Sequence, residues 1–559
     1  MRILVADPLS DAGLDVLRRR EDVTLDLTHG LEGEDLRAAI HEADGVIVRS
    51  GTQLDAAALD GQERLRVIVR AGVGVDNIDL DAATRTGVVV MNTPAGNTTS
   101  TAEHSIAMLM ALSRNIAPAA SSLRDGQWER KRFVGTQLAG KTLGIVGLGR
   151  VGLAVCERAR GLQMKVVGYD PFLSPDRAAE LGIEWHQDLD GMLGACDFLT
   201  VHTPLTKQTR NLINADRLAQ MKPGVRIVNC ARGGIIDEMA LAEALDKGIV
   251  GGAAIDVFEH EPPRDHPLVE HPRVLATPHL GASTEEAQES VAIEAAELLV
   301  GFLVNGEVRH AVNMAPISAA DLERIRVYLD LALRLGLLLS QQNQDQGMRA
   351  AEIEYRGEVT EQSTRLVTAS FAAGLLDRAL EAEVNLVNAE WLAGQRGIEL
   401  RESRTSGAGD FSTLVRTTIE TDSGHRQASA TVFGNQFLRL VRIDCFQLDA
   451  FLDGTLLIVR HHDVPGLIGF IGTVLGQHEV NIAHLSLGRE QDEPGGEALA
   501  VLNLDSLPPD ASLDDLRQHD DVTSVELVQL PAAGAPLPWF GGCQPKSRDD
   551  RAVDQADSA

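Results

Sequence analysis

The chain has 559 residues, and domains of about 100–200 residues predict three or four of them. It is 44% hydrophobic and 24% charged, with no apolar run near the roughly 18 residues a membrane span needs, which predicts a soluble protein with a large core. A formal net charge of −30 repels both phosphodiester backbones and anionic lipid, so nucleic acid and membrane are disfavoured as partners and an anionic substrate requires a local basic pocket.

The N-terminus passes from Met1 and Arg2 straight into Ile3, Leu4 and Val5, a first strand without the longer apolar core of a signal peptide. Cysteines at 156, 196, 230, 445 and 543 show no paired spacing, which indicates neither a disulfide framework nor a zinc site and sets a cytoplasmic location as the expectation. Up to about residue 315, short β-branched runs at 45–48, 67–69, 88–90, 143–146, 166–167, 198–201, 227–229 and 253–257 alternate with amphipathic stretches. That is the pattern of βαβ units on mainly parallel sheets, whose ligands bind outside the carboxyl ends of the strands. After Pro316 a Leu-rich helical stretch, 322–339, and a polar break, 340–347, open a further unit that runs to about 450. Residues 455–530 read as βαββαβ, with strands at 456–460 and 480–486 and a last strand at 525–528. The final stretch, 531–559, has no periodic apolar face and predicts a disordered tail.

Gly147, Gly149 and Gly152 form G-x-G-x-x-G between an apolar strand and a helical run. The first glycine permits a tight turn, the second lets backbone approach a pyrophosphate, and the third permits close helix–strand packing at a positive helix end. About 20 residues on, Asp170 ends the next strand, where an acid accepts from adenosine ribose hydroxyls and repels a 2′-phosphate, so NAD is expected over NADP. Because the fingerprint lies mid-way through the first half, the residues before about 96 must form a separate, split unit.

Arg232, Glu261 and His279 each fall just beyond a candidate strand of this nucleotide-binding unit. Oxidising an alcohol needs a base for the hydroxyl proton, and imidazole titrates in the right range. A neighbouring carboxylate orients that imidazole and stabilises its cation, while a guanidinium clamps a substrate carboxylate. Periodicity alone does not choose among His260, His266, His271 and His279, and each of the three residues read singly has a structural explanation. Paired-ligand spacing is absent, so a metal is not expected.

The strings Asn229-Cys-Ala-Arg-Gly-Gly-Ile-Ile-Asp237, Asp256-Val-Phe-Glu-His-Glu-Pro-Pro263, Thr277-Pro-His-Leu-Gly-Ala-Ser-Thr284 and Gly147-Leu-Gly-Arg-Val-Gly152 resemble signatures of the D-2-hydroxyacid dehydrogenases. The resemblance implies that Arg232, Glu261 and His279 are the catalytic set. It also implies nicotinamide-side contacts at Thr203, Pro204, Cys230, Ala231, Asp256 and Gly281, with Arg150 and Val151 at the pyrophosphate. Val48-Arg-Ser-Gly51, Arg70-Ala-Gly-Val-Gly-Val-Asp-Asn77 and Asn92-Thr-Pro-Ala-Gly-Asn97 are similar to the branch acting on phosphoglycerate. Substrate contacts are thereby implied at Arg49, Ser50, Arg70, Gly72, Val73, Gly74 and Asn97, where successive N–H groups can cup a carboxylate. Trp128-Glu-Arg-Lys-Arg132 resembles a basic segment that relatives reach across a dimer interface, which makes Arg130 and Arg132 phosphate candidates; a solvated basic turn is the other explanation.

Arg460-His-His-Asp-Val-Pro-Gly466, with Asn481, resembles the ACT regulatory module, whose amino-acid effector lies between paired domains. His461, Asp463 and Asn481 are the implied effector contacts and L-serine the implied effector; His461 stands where the family often has a tyrosine, and Asp463 also reads as a helix cap. Residues 317–450 resemble the intervening domain of the long form of that branch. The implied fold is a Rossmann-type NAD-binding domain, 97–282, inserted in a split flavodoxin-like substrate domain, 1–96 and 283–315. An α+β intervening domain, 316–450, and a ferredoxin-like ACT domain, 451–530, follow. The implied activity is NAD-dependent oxidation of 3-phosphoglycerate by a homotetramer. A relative reducing glyoxylate, hydroxypyruvate or 2-oxoglutarate, or an NAD-sensing scaffold on the same fold, are the alternatives.

Overall fold

The computed structural model describes residues 1–343, 347–377, 384–405, 410–422, 424–434, 436–490 and 495–539. Strands β1 (Arg2–Val5), β2 (Thr24–Asp26), β3 (Gly45–Val48), β4 (Val67–Arg70) and β5 (Val89–Asn92) form a parallel sheet in the order β2-β1-β3-β4-β5. This is the flavodoxin-like order. Because β3 and β4 are covered on both faces, they read as continuous Val/Ile runs rather than as alternating ones. Part of that cover is helix Glu285–Asn305, which comes back from beyond the second sheet to pack on β3, β4 and helix Asp11–Arg18. The approach is so close that a Cβ on Gly13 would meet the Ala292 backbone.

The second sheet is also parallel: β6 (Thr142–Val146), β7 (Lys165–Tyr169), β8 (Glu184–Trp185), β9 (Phe198–Val201), β10 (Val225–Asn229), β11 (Val250–Ile255) and β12 (Val274–Ala276), ordered β12-β11-β10-β9-β6-β7-β8. Strand order reverses between β6 and β9, the switch point beside which doubly wound sheets bind dinucleotides. Helix Thr98–Ser113 crosses over from the first unit and lies against helix Arg150–Gly161, β10 and β11.

Strands β13 (Met348–Gly357), β14 (Glu399–Thr405), β15 (Thr413–Thr421), β16 (Gly424–Phe433), β17 (Phe437–Ile443) and β18 (Phe446–Phe451) form a third sheet, β14-β13-β15-β16-β17-β18, antiparallel except at β13–β14. Along β15 buried and half-buried residues alternate, the mark of a sheet covered on one face. Two helices, Ala319–Gln342 and Thr364–Leu376, make close contact through Gly336 and Gly374, where no Cβ would fit. The fourth sheet, β20-β21-β19-β22, joins β19 (Thr455–His462), β20 (Ile482–Arg489), β21 (Glu497–Leu504) and β22 (Val522–Gln529) with helices Leu467–Gln477 and Asp510–Arg517 in βαββαβ order.

One part of the chain departs from the sequence expectation. Residues 531–539, read as the start of a disordered tail, are held by the rest of the protein: Leu537 is buried and the Trp539 indole donates to the Val384 carbonyl at 3.1 Å. Arg66 donates to the Trp539 carbonyl, and the buried Arg334 donates to the carbonyls of Leu452, Pro531 and Ala532 while pairing with Asp330 at 2.6 Å. A segment whose anchors are backbone carbonyls and two isolated apolar side chains carries no periodicity to read. Residues 540–559, with Cys543, and residues 344–346 of the polar break lie outside the described residues. Among the described residues, no helix is long and apolar enough to cross a membrane.

Candidate active site

The glycine turn leaves β6 at Gly147, whose φ of +92° and proximity to the His202 carbonyl both exclude a side chain. Gly149 caps helix Arg150–Gly161, and a Cβ there would meet nothing within 4 Å, so this side is open to a ligand. Gly152 rests on the Gly147 carbonyl, and a Cβ would overlap it. Val151 is half-buried behind the exposed Arg150. Asp170, at the end of β7, accepts from the Leu148 N–H at 2.8 Å and the Phe172 N–H at 2.8 Å, which places its carboxylate beside the glycine turn. The buried Oγ of Thr203 and Oδ of Asn97 have no partner within the protein. A free helix N-terminus, an open glycine, an acid at the neighbouring strand end and orphaned polar atoms fit a dinucleotide.

On the other side of the switch point stand the three charged residues. His279 Nδ1 lies 2.7 Å from Glu261 Oε2, and the second Glu261 oxygen accepts from the Phe258 N–H at 3.0 Å. With Nδ1–H donating to the carboxylate, the assigned tautomer leaves Nε2 as a bare acceptor. Burial raises the Glu261 carboxyl, but hydrogen bonds from His279 and the Phe258 N–H outweigh it and hold the group below its ordinary range. Arg232 donates through Nε to Asp76 at 3.0 Å and through Nη1 to the Ala231 carbonyl at 2.7 Å. Its guanidinium lies against Gly74, where a Cβ would overlap it.

The N-terminal unit lines the cleft from the opposite side. Arg70 packs over Gly72 and is half-buried; desolvation first, then repulsion from Arg232, brings it down to about 10, still a cation at neutral pH. Asp7 accepts from the Arg49 N–H at 2.6 Å, and Asn77 donates to the Arg49 carbonyl, fixing the turn that carries the exposed Ser50. Asn92 donates to the Val73 carbonyl at 2.5 Å, pinning the turn at 72–74. Arg130 and Arg132 lie on an exposed turn away from these groups' hydrogen bonds, with Arg132 pairing with Glu129 at 2.9 Å. Of the other candidate histidines, His266 caps helix Pro267–Glu270 and meets Glu238 at 2.9 Å, His271 meets Asp246 at 3.5 Å, and His260 is exposed.

Three placements were not foreseen. Asp256, expected at the nicotinamide, is completely buried and spends its oxygens on Thr277 Oγ1, the Leu280 and Gly281 N–H groups and His104. With Cys230 it forms, among the described residues, a His104–Cys230–Asp256 group whose ligand atoms lie within 4.8 Å of one another. Burial pushes the Cys230 thiol up to about 12 and the Asp256 oxygens already take four donors, so the group is a hydrogen-bonded network rather than an open metal pocket. Asp76, the third, holds Arg232; an acid inside a glycine-rich strand end was its only sequence signal. Pro204 and Ala231 bracket the crevice, the former exposed and the latter half-buried.

In the fourth unit, Gly466 rather than Asp463 caps helix Leu467–Gln477, so the cap explanation of Asp463 fails. Asp463 instead pairs with Arg489 on β20 at 2.8 Å. His461 is buried with Nδ1 on the His462 carbonyl and Nε2 without a partner, and Asn481 donates to Asp505 at 2.6 Å.

Residues 106–281 match the D-isomer specific 2-hydroxyacid dehydrogenase NAD-binding domain, residues 324–444 the D-3-phosphoglycerate dehydrogenase intervening domain, and residues 455–521 the ACT domain. The D-3-phosphoglycerate dehydrogenase of Archaeoglobus fulgidus is 39% identical over 95% of this chain and 100% of its own, and that of Bacillus subtilis 40% identical over the same shares. The chain belongs to the D-3-phosphoglycerate dehydrogenase family. It is an NAD-dependent dehydrogenase of the D-2-hydroxyacid class with a C-terminal ACT domain. Among solved structures, a glyoxylate reductase from Paecilomyes thermophila superposes with a TM-score of 0.51 at 30% identity over 56% of this chain and 98% of its own. The TT0316 protein of Thermus thermophilus gives 0.50 at 36% identity over 54% and 97%. Both cover little more than half of this chain, and the first of them is named for another substrate.

Proposed function

We propose that the chain oxidises 3-phospho-D-glycerate to 3-phosphohydroxypyruvate, the first step of L-serine biosynthesis. The observation that carries this is the His279–Glu261 couple at 2.7 Å, set on the same rim as Arg232, which meets Arg70 and Arg49 of the opposite wall of the cleft. NAD, when bound at the glycine turn, supplies a nicotinamide ring that accepts a hydride. His279 Nε2 takes the C2 hydroxyl proton as the C2–H electron pair departs, and Glu261 stabilises the imidazolium so formed. Arg232 holds the C1 carboxylate and the C2 oxygen, aided by the N–H groups of residues 72–74. Arg49 and Arg70 supply positive charge for the phosphate in a chain whose net charge is −30, with Arg130 and Arg132 of a second copy completing that site.

A second copy has a surface to meet: Met110, Ile116, Leu123, Trp128 and Val134 are exposed apolar residues on one continuous stretch of the nucleotide-binding unit. With the ACT units pairing as well, the assembly is a homotetramer in the cytoplasm, and light scattering should give four times the mass of the chain. L-serine is the proposed effector, held near His461, Asp463 and Asn481.

A panel of 2-keto acids with and without phosphate, assayed with NADH, tests the substrate. The highest kcat/KM should fall on 3-phosphohydroxypyruvate; a preference for glyoxylate, hydroxypyruvate or 2-oxoglutarate would reassign the enzyme within its class.

A further inference from the structure

We infer that His104 is a positioning residue for the catalytic loop, acting through the buried carboxylate of Asp256; this rests on the role proposed above for His279. His279 sits at φ +53°, a left-handed conformation that an imidazole-bearing residue adopts at a cost and keeps only where its surroundings over-determine it. The constraint comes from Asp256. Its main-chain carbonyl accepts from the His279 N–H at 2.9 Å. One carboxylate oxygen accepts from Thr277 Oγ1 at 2.6 Å and the Leu280 N–H at 2.8 Å, and the other from the Gly281 N–H at 2.9 Å. A single residue thus grips the loop on both sides of His279.

With four donors aimed at its two oxygens the carboxylate acts purely as an acceptor, a role the ionised form fills best, because a proton on either oxygen would turn part of that acceptor capacity into a donor. Ionisation in so dry a place needs a strong donor in addition to peptide N–H groups. His104 is that donor, with Nε2 at 3.1 Å from Asp256 Oδ1 and at 3.4 Å from Thr277 Oγ1. Burial works to raise the Asp256 carboxyl, and the bonds from His104 and Thr277 lead those that keep it below its ordinary range.

The placement comes from one helix. Four residues before His104 on helix Thr98–Ser113, Ser100 donates to the Gly281 carbonyl at 2.8 Å, so successive turns of the same face hold the same loop. That helix begins where the chain leaves the substrate-binding sheet, with Asn97 at its N-cap. The catalytic loop is therefore braced from the crossover between the two units, and not by its own sheet alone.

Steady-state kinetics of His104→Leu and His104→Gln, alone and combined with His279→Ala, test the assignment. His104→Leu should lower kcat about tenfold or more, with the NADH dissociation constant and the KM for the hydroxy acid within about twofold of the parent. His104→Gln, whose amide can still donate to Asp256, should recover most of that loss. On the His279→Ala background, His104→Leu should have no further effect on kcat, because the group being positioned is gone. A kcat within twofold of the parent for His104→Leu would overturn the inference, as would equal losses in the Leu and Gln variants. A full additional loss on the His279→Ala background would also overturn it. If His279→Ala itself retained turnover, the role of His279 would fail instead, which keeps the two failures distinct.

Discussion

The Arg232 guanidinium donates through Nε to the Asp76 carboxylate at 3.0 Å, joining the end of β10 in the nucleotide-binding sheet to the loop after β4 in the substrate-binding sheet. The pair does more than bridge the two units: with Nη1 on the Ala231 carbonyl, it fixes the fork of donors so that Nη2 lies against Gly74 in the turn at 72–74.

Asp76→Asn should therefore loosen the clamp without removing it. The expected outcome is a rise of about tenfold in the KM for the hydroxy acid, roughly 1.4 kcal/mol, with NADH affinity unchanged, as read by initial rates and fluorescence titration. An unaltered KM would show that Arg232 orients without Asp76.

The glycine turn separates two kinds of constraint. A methyl on Gly152 collides with the Gly147 carbonyl in the protein itself, whereas a methyl on Gly149 meets nothing within 4 Å. Gly152→Ala should lower Tm by several degrees and weaken NADH binding. Gly149→Ala should leave Tm within about a degree and still weaken NADH binding by about tenfold or more, since the pyrophosphate is what needs the space.

Glu261 is held below its ordinary range in the folded protein, so the stability it adds is fully present above the unfolded carboxyl value of about 4.3 and is lost as pH falls through the lower folded value. Thermal melts of Glu261→Gln should accordingly lie closest to those of the parent at about pH 3 and fall further behind as pH rises to 7. In the kinetics the same substitution removes the charge that stabilises the imidazolium, and the acid limb of kcat/KM for oxidation should move to lower pH. A limb that stays in place would separate Glu261 from proton transfer.

Asp463 already has Arg489 as a partner at 2.8 Å, so an effector ammonium has to share or displace that cation. L-serine should inhibit, and Asp463→Ala should raise the concentration needed for half-inhibition by about tenfold, with uninhibited kcat unchanged. Serine titration of initial rates checks both, and a flat titration of the parent protein would end the serine assignment.

Much of this site was legible in the sequence because its parts are backbone-determined. Gly147, Gly149 and Gly152 are required by a positive φ, an open approach and a van der Waals overlap, and each leaves its mark at a fixed spacing. Arg232, Glu261 and His279 sit just past strand ends, so strand prediction places them on one rim. Contacts made through side chains from distant elements were not legible. His104 looks like an ordinary histidine of an amphipathic helix until Asp256 is seen beneath it, and Asp76 looks like a loop acid until Arg232 crosses the cleft. The same holds for residues 531–539, whose hold on the protein comes through Arg334, Arg66 and Val384. The parallel sheets of the first half and the βαββαβ unit were legible in the alternation of strands and helices, whereas the ion pair between Asp463 and Arg489 depends on how β19 and β20 are brought together and has no local signature.

The central claim is that His279 Nε2, left free by the bond between Nδ1 and Glu261, takes the substrate's proton. The turnover of His279→Ala with 3-phosphoglycerate and NAD, measured alongside NADH binding, tests it most directly. The account predicts kcat lowered by about 10²–10⁴-fold with the NADH dissociation constant unchanged; turnover within a few-fold of the parent would contradict it.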